Sequence, residues 1–172
     1  MSGVRSRVLG LCLTPLLICA LDYMLTLLGQ SDAYWAGDYQ RVNEASPTFN
    51  YLLQIHPAAF IAGMAVWMTV FVGLILLLPD TLALIVSIAV AFGHSAGAAT
   101  WLWWRFEYGY QAVNGMILAV AALLGLGIRY GWRAAPSCQY RFSGWSSRLR
   151  WALIAGLVAV GAYLFLWPRM TI

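Results

Sequence analysis

The side chains of this sequence that could do chemistry are few and sit in apolar surroundings. Asp22, Glu44, His56 and His94 are the ionisable candidates, and residues 93–97 spell Gly-His-Ser-Ala-Gly, a Gly-x-Ser-x-Gly pattern. Such a pattern can present a serine nucleophile with a histidine beside it. Carboxylates and imidazoles together can hold a divalent transition metal such as zinc, copper or iron. The same groups can also satisfy one another as a buried hydrogen-bond network that fixes helix register.

The serine is the weakest of these. A nucleophile elbow needs a strand, a sharp turn and then a helix, and the unbroken apolar run from Thr81 to Trp104 has none of them. Helical geometry also separates Ser95 from its neighbour. At 100° per residue, His94 shares a stripe with Ser87, Ala91, Ala98 and Trp101, whereas Ser95 joins Leu84, Ile88 and Leu102 on a bulky face expected to meet lipid. There its hydroxyl can bond the i−4 carbonyl of Ala91. Intramembrane serine hydrolysis with a histidine from a later helix fails as well, because His94 is the last histidine in the chain. Gly93 and Gly97, one turn apart, instead form a ridge of small residues that admits a neighbouring helix.

The elements that position these residues follow from composition. The chain has 172 residues, 62% hydrophobic and 9% charged, whereas a soluble domain carries about 25% charged residues. That excludes a water-soluble domain and marks a single integral membrane domain over residues 1–172. Five apolar segments are long enough to span, at about 20 residues each: roughly 8–29, 51–78, 81–104, 111–130 and 150–168. In lipid only helices or closed barrels satisfy the backbone, and these runs are too long for barrel strands. The expected fold is an all-α polytopic bundle of five transmembrane helices without internal repeats.

Arg5 and Arg7 before the first apolar run resemble a signal peptide, but no small-x-small cleavage site precedes Asp22, so the segment is expected to be retained. With the N-terminus inside, Arg5, Arg7, Arg129, Arg133, Arg141, Arg148 and Arg150 fall on the cytoplasmic side, against Arg41, Arg105 and Arg169 outside. The positive-inside rule then gives N-in, C-out, in a bacterial-type inner membrane. All basic residues are arginine and none forms a dense run, so lipid headgroups rather than nucleic acid are the expected charged partners. The loop after span four mixes arginine with Trp132, Tyr140, Phe142 and Trp145, a composition suited to the cytoplasmic lipid surface. Cys12, Cys19 and Cys138 have neither disulfide nor metal-site spacing. Ser46 and Pro47 are placed to start the second helix, and Pro57 should kink it or split off a short interfacial helix.

In this frame the polar groups share the outer half of the membrane. Asp22 lies about 10 Å below the outer end of span one and His94 about 15 Å below that of span three, at 1.5 Å per residue. Asp22 shares its stripe with Pro15, Cys19, Thr26 and Gly29; Asn43 and Glu44 precede the second helix, and Asn114 opens span four. An intramembrane carboxylate costs at least about 2.5 kcal/mol and needs a partner, which His56, His94 or Asn114 could provide. A network of Asp22, the histidines, Thr26, Asn43 and Asn114 is one expectation; a divalent metal on Asp22, Glu44, His56 and His94 is another. The aromatic run 101–110 reads as an interfacial belt, with a flat lipid-like cofactor resting on Trp101 or Trp104 as the sharper alternative. The leading functional expectation is an accessory subunit that binds another membrane protein or itself. A membrane enzyme or metal carrier built on the outer polar layer is the rival.

Overall fold

The structure, a computed structural model, describes residues 8–134 and 147–170, with side chains from Gly10 to Tyr130 and from Ser147 to Tyr163. The described residues are helical and contain no strand. A π-helical turn, Val8–Cys12, leads into α1, Leu13–Leu28. A short α2, Asp32–Trp35, lies in the loop that follows. Then come α3 (Pro47–Ile55), α4 (Pro57–Leu77) and α5 (Asp80–Thr100), the last extended by a π-helical turn over Trp101–Arg105. α6 (Gly109–Ala134) and α7 (Ser147–Met170) complete the bundle. Among the described residues four helical stretches are long and apolar enough to cross a membrane: Gly10–Leu28, Pro57–Leu77, Asp80–Arg105 and Gly109–Tyr130. The arginines and aromatics at positions 135–146, assigned above to the lipid surface, lie outside the described residues, as does the side chain of Trp132.

The expected second span is two helices. His56 is fully extended (φ −179°, ψ 147°) and its Nδ1 accepts the Ala58 N–H at 3.0 Å, so it caps α4 while Pro57 occupies the first helical position. A proline there lacks only an N–H that the first turn would leave unpaired. Ser46 caps α3 without using its hydroxyl; the Glu44 carboxylate takes the Ser46 N–H instead, at 2.6 Å.

α1 is the innermost helix, half of its span buried, and it packs on α5, α6 and α4. Lipid is as apolar as leucine, so close backbone approach and polar contacts must hold such helices together. Gly127 allows α6 to touch the start of α1, since a Cβ there would stand 2.6 Å from the Gly10 carbonyl oxygen. The Ser87 hydroxyl donates to the Leu11 carbonyl at 2.6 Å, tying α5 to α1. Arginines finish two helix ends: Arg105 Nε donates to Gly29 O at 2.9 Å and Arg150 Nε to Leu77 O at 2.6 Å. Both satisfy carbonyls that a helix C-terminus leaves open. Arg105 therefore turns to α1.

The loop between α1 and α3 is a folded cap. Gln30, buried at the end of α1, grips the chain at Asn43: its Nε2 donates to Asn43 O at 2.9 Å and its Oε1 accepts Asn43 N–H at 2.9 Å. Tyr34, fully buried, donates its hydroxyl to Leu53 O at 3.1 Å. Asn50 Nδ2 donates to Glu44 O at 2.8 Å. These bonds fix Glu44 over the C-terminal end of α1. Gln30→Leu, near-isosteric, should strip both backbone groups of Asn43 of their partners and cost about 2 kcal/mol. The expected readouts are a lower unfolding temperature and faster proteolysis between residues 31 and 45; an unchanged protein would refute the clamp.

Candidate functional site

The site grows from two helix faces. On α1, Cys19, Asp22, Tyr23 and Thr26 recur at helical spacing, with Cys19, Tyr23 and Thr26 buried. On α5 the buried stripe is Ala83, Ser87, Ala91, Ser95 and Ala98, and His94 stands at its edge. Where the two faces meet, His94 Nδ1 lies 2.8 Å from Asp22 Oδ2, and both side chains are only 13% exposed. The expected meeting of the span-one aspartate and the span-three imidazole is thus observed.

A third residue sets the tautomer of His94. Trp67 Nε1 of α4 donates to His94 Nε2 at 3.3 Å. An indole N–H is a donor only, so Nε2 must offer its lone pair and the ring proton must sit on Nδ1, directed at Asp22. The imidazole Nδ1–H then donates to Asp22 Oδ2. Tyr23 packs edge-on to the His94 ring, with centroids 5.1 Å apart. Thr26 turns its hydroxyl onto the Asp22 carbonyl at 3.0 Å.

Gly97 makes the approach possible. A Cβ there would stand 2.7 Å from Asp22 Oδ1 and 2.8 Å from Oδ2. The carboxylate lies flat against the α5 backbone, where no side chain fits. At Gly93, one turn earlier, a Cβ would meet nothing within 4 Å. The expected glycine ridge is real at one position and opens into space at the other.

That space is a cavity of about 510 Å³, running from Ala89 and Val90 past Asp22, His94 and Gly97 to Glu44 and Ser46 in the loop before α3. Tyr23, Phe49, Phe60, Trp67 and Trp101 form its aromatic wall. An adjoining depression of about 360 Å³ shares Glu44, Gly97 and Trp101 and adds Asn43, Thr100, Trp104 and Arg105. Burial pushes the Glu44 carboxyl above its ordinary value, and the charge of Asp22 adds to the rise against the Ser46 and Ala45 N–H groups and the Thr26 hydroxyl.

The other expected site residues divide. Glu44 joins the pair in the cavity, but His56 does not: its Nδ1 caps α4, its ring packs edge-on against Tyr39 at 5.3 Å, and it faces outward. The four-residue metal set therefore does not converge. Among the described residues no three His, Cys, Asp or Glu side chains gather as ligands, and both ring nitrogens of His94 are already engaged. Asn43 serves through its backbone, and Asn114, half-buried on α6, lines neither cavity. Trp101 lies across Gly29 and borders both cavities, while Trp104 borders only the outer one and is exposed. Ser95 bonds the Ala91 carbonyl at 2.7 Å as expected, but it is 7% exposed and faces the bundle rather than lipid. Its small size lets that edge of the helix pack on α1, and Phe92, 76% exposed, takes the outward position.

Trp67, Tyr23 and Gln30 are the site residues that the sequence reading misses. Trp67 carries a signal: it sits near the middle of α4, away from the interface where tryptophan usually lies. The two glycines provide a contrast. Gly97→Ala should displace the Asp22 carboxylate and destabilise the protein by about 1–3 kcal/mol, the usual range for overpacking. Gly93→Ala should be neutral or stabilising by up to about 1 kcal/mol. Thermal unfolding in mild detergent checks both, and equal effects would contradict this geometry. No family model, curated protein or solved structure matches the chain.

Proposed function

We propose that the chain is a five-span inner-membrane protein, N-terminus cytoplasmic and C-terminus outside, that acts by binding rather than catalysis: an accessory subunit whose outward cavity receives a ligand at the Asp22–His94 pair. The observation that carries this reading is the position of that pair in the wall of a cavity of about 510 Å³ reaching the outer loop. A concave site of this size with a few converging polar groups is the usual form of a small-molecule site.

The states of the polar groups support binding over reaction. A general base needs a free lone pair within reach of a substrate proton, and that of His94 is covered by Trp67. The Ser95 hydroxyl is committed to the Ala91 carbonyl. The orientation rests on the arginine count and the fifth span on α7, a helix from Ser147 to Met170. A subunit role draws support from the faces left open on α6 and α7. Ala121, Gly125, Ala152, Gly156 and Ala159 are exposed, and a Cβ at Gly125 or Gly156 would meet nothing within 4 Å. Small residues of this kind let another helix come close.

Cysteine labelling in intact cells tests the reading. Cys12 and Cys19 are buried, so with Cys138 replaced by Ser the background is low. Gly93→Cys should react with a membrane-impermeant maleimide added outside, while Phe92→Cys, turned to lipid, should not. Labelling of Gly93→Cys only after permeabilisation would reverse the orientation. No labelling under either condition would remove the open cavity and the function built on it.

A further inference from the structure

The donors nearest the two carboxyls are engaged, and one oxygen of Asp22 is not. The Nδ1–H of His94 goes to Asp22, the indole N–H of Trp67 to His94, the Thr26 hydroxyl to the Asp22 carbonyl and the Ser46 N–H to Glu44. Asp22 Oδ1, lying against Gly97, has no hydrogen-bond donor among the described residues. Glu44 adds a second carboxyl to the same wall, and no arginine lines this cavity. The hydroxyl of Tyr23, a residue 2% exposed in that wall, has no hydrogen-bond partner among the described residues. Two carboxyls facing one cavity with no arginine in its wall favour a ligand that brings N–H donors and positive charge. The remaining surface is aromatic, from Phe49, Phe60, Trp67 and Trp101, and ring faces attract a cation most strongly where water is excluded.

We infer that the cavity binds a small organic cation, an ammonium on an apolar carbon skeleton, with its charge beside Asp22 and Glu44 and its skeleton against the aromatic wall. This rests on the binding function proposed above. The size of the cavity, about 510 Å³, suits a molecule of several carbons; a bare proton or metal ion would leave it empty. An anion would face Asp22 with no counter-charge in the wall. Two sources supply such a cation, a free amine and the ammonium head of a zwitterionic lipid, and the test includes both.

The full chain in nanodiscs of phosphatidylglycerol is titrated with benzylammonium, and with benzyl alcohol and benzoate as neutral and anionic counterparts, following tryptophan fluorescence and thermal unfolding. Benzylammonium should bind saturably and at least about tenfold more tightly than either counterpart, since it alone engages the carboxylates and ring faces together. Asp22→Asn, which keeps the shape of the side chain, should weaken it by about tenfold or more. Glu44→Gln, nearer the surface, gives a second reading if Asp22→Asn loses its cooperative unfolding transition. Gly93→Leu should abolish binding by filling the cavity while both carboxylates stay. Addition of phosphatidylethanolamine assigns the cation to a lipid head if it competes and to a free amine if it does not, and either result keeps the inference. Equal or tighter binding of the alcohol or benzoate, or unaltered affinity in folded Asp22→Asn and Glu44→Gln, would overturn the cation and leave the binding reading standing. No saturable binding of any probe, with Gly93→Cys still labelled from outside, would likewise overturn the cation alone. If that cysteine also resists labelling, both fall.

Discussion

A carboxyl group held inside an apolar helix bundle is the constraint from which the rest of this structure follows. Its cost, at least about 2.5 kcal/mol by insertion scales, has to be offset by groups that face it. Asp22 obtains one strong donor, the Nδ1–H of His94, at 2.8 Å. That donor exists only in one tautomer, and the Trp67 indole at Nε2 selects it. The histidine reaches the aspartate only because residue 97 has no side chain. The helix carrying both is held in register on α1 by the Ser87–Leu11 bond and the buried alanines of its stripe. Charge, tautomer, glycine and register form one chain of dependence, each link failing if the previous one does.

The loop between α1 and α3 adds a second carboxyl to that first one. Gln30, Tyr34 and Asn50 each bond the backbone of the loop or of α3, so the position of Glu44 is set by the fold rather than by its own side chain. Burial and the nearby charge of Asp22 both raise the proton affinity of Glu44. In the complex proposed above, a cation beside Glu44 stabilises its ionised form, so binding and release of its proton are linked with a definite sign.

The sequence shows the class of this protein and the meeting of its central pair, but not the shape of the site. Membrane helices and the break at Pro57 follow from run length and from a missing N–H, which are local properties. That Asp22 needs a partner follows from its burial, and helical phase brings His94 to the correct side. What the phase misses is Ser95, which lies on the buried edge of α5 rather than facing lipid. His56 was grouped with the other ionisable residues by depth, yet the break that releases α3 turns its ring outward as a cap. Depth along one helix is legible in a sequence, but which face turns inward after a break is not. The loop clamp of Gln30 depends on a contact thirteen residues away, with no periodicity to announce it.

The same geometry separates binding from passage. Inward of Asp22 the face of α1 continues through Cys19, Pro15 and Cys12, all fully buried. Ser87, the polar group of α5 at that depth, is already committed to the Leu11 carbonyl. A proton or a cation moving inward would need successive polar groups or water to replace the ones it leaves, since a lone charge in hydrocarbon is costly. Among the described residues none continue beyond the pair on these two faces. The polar part of the cavity thus ends at Asp22 and His94, which fits the binding proposed above and gives no inward path for a charge.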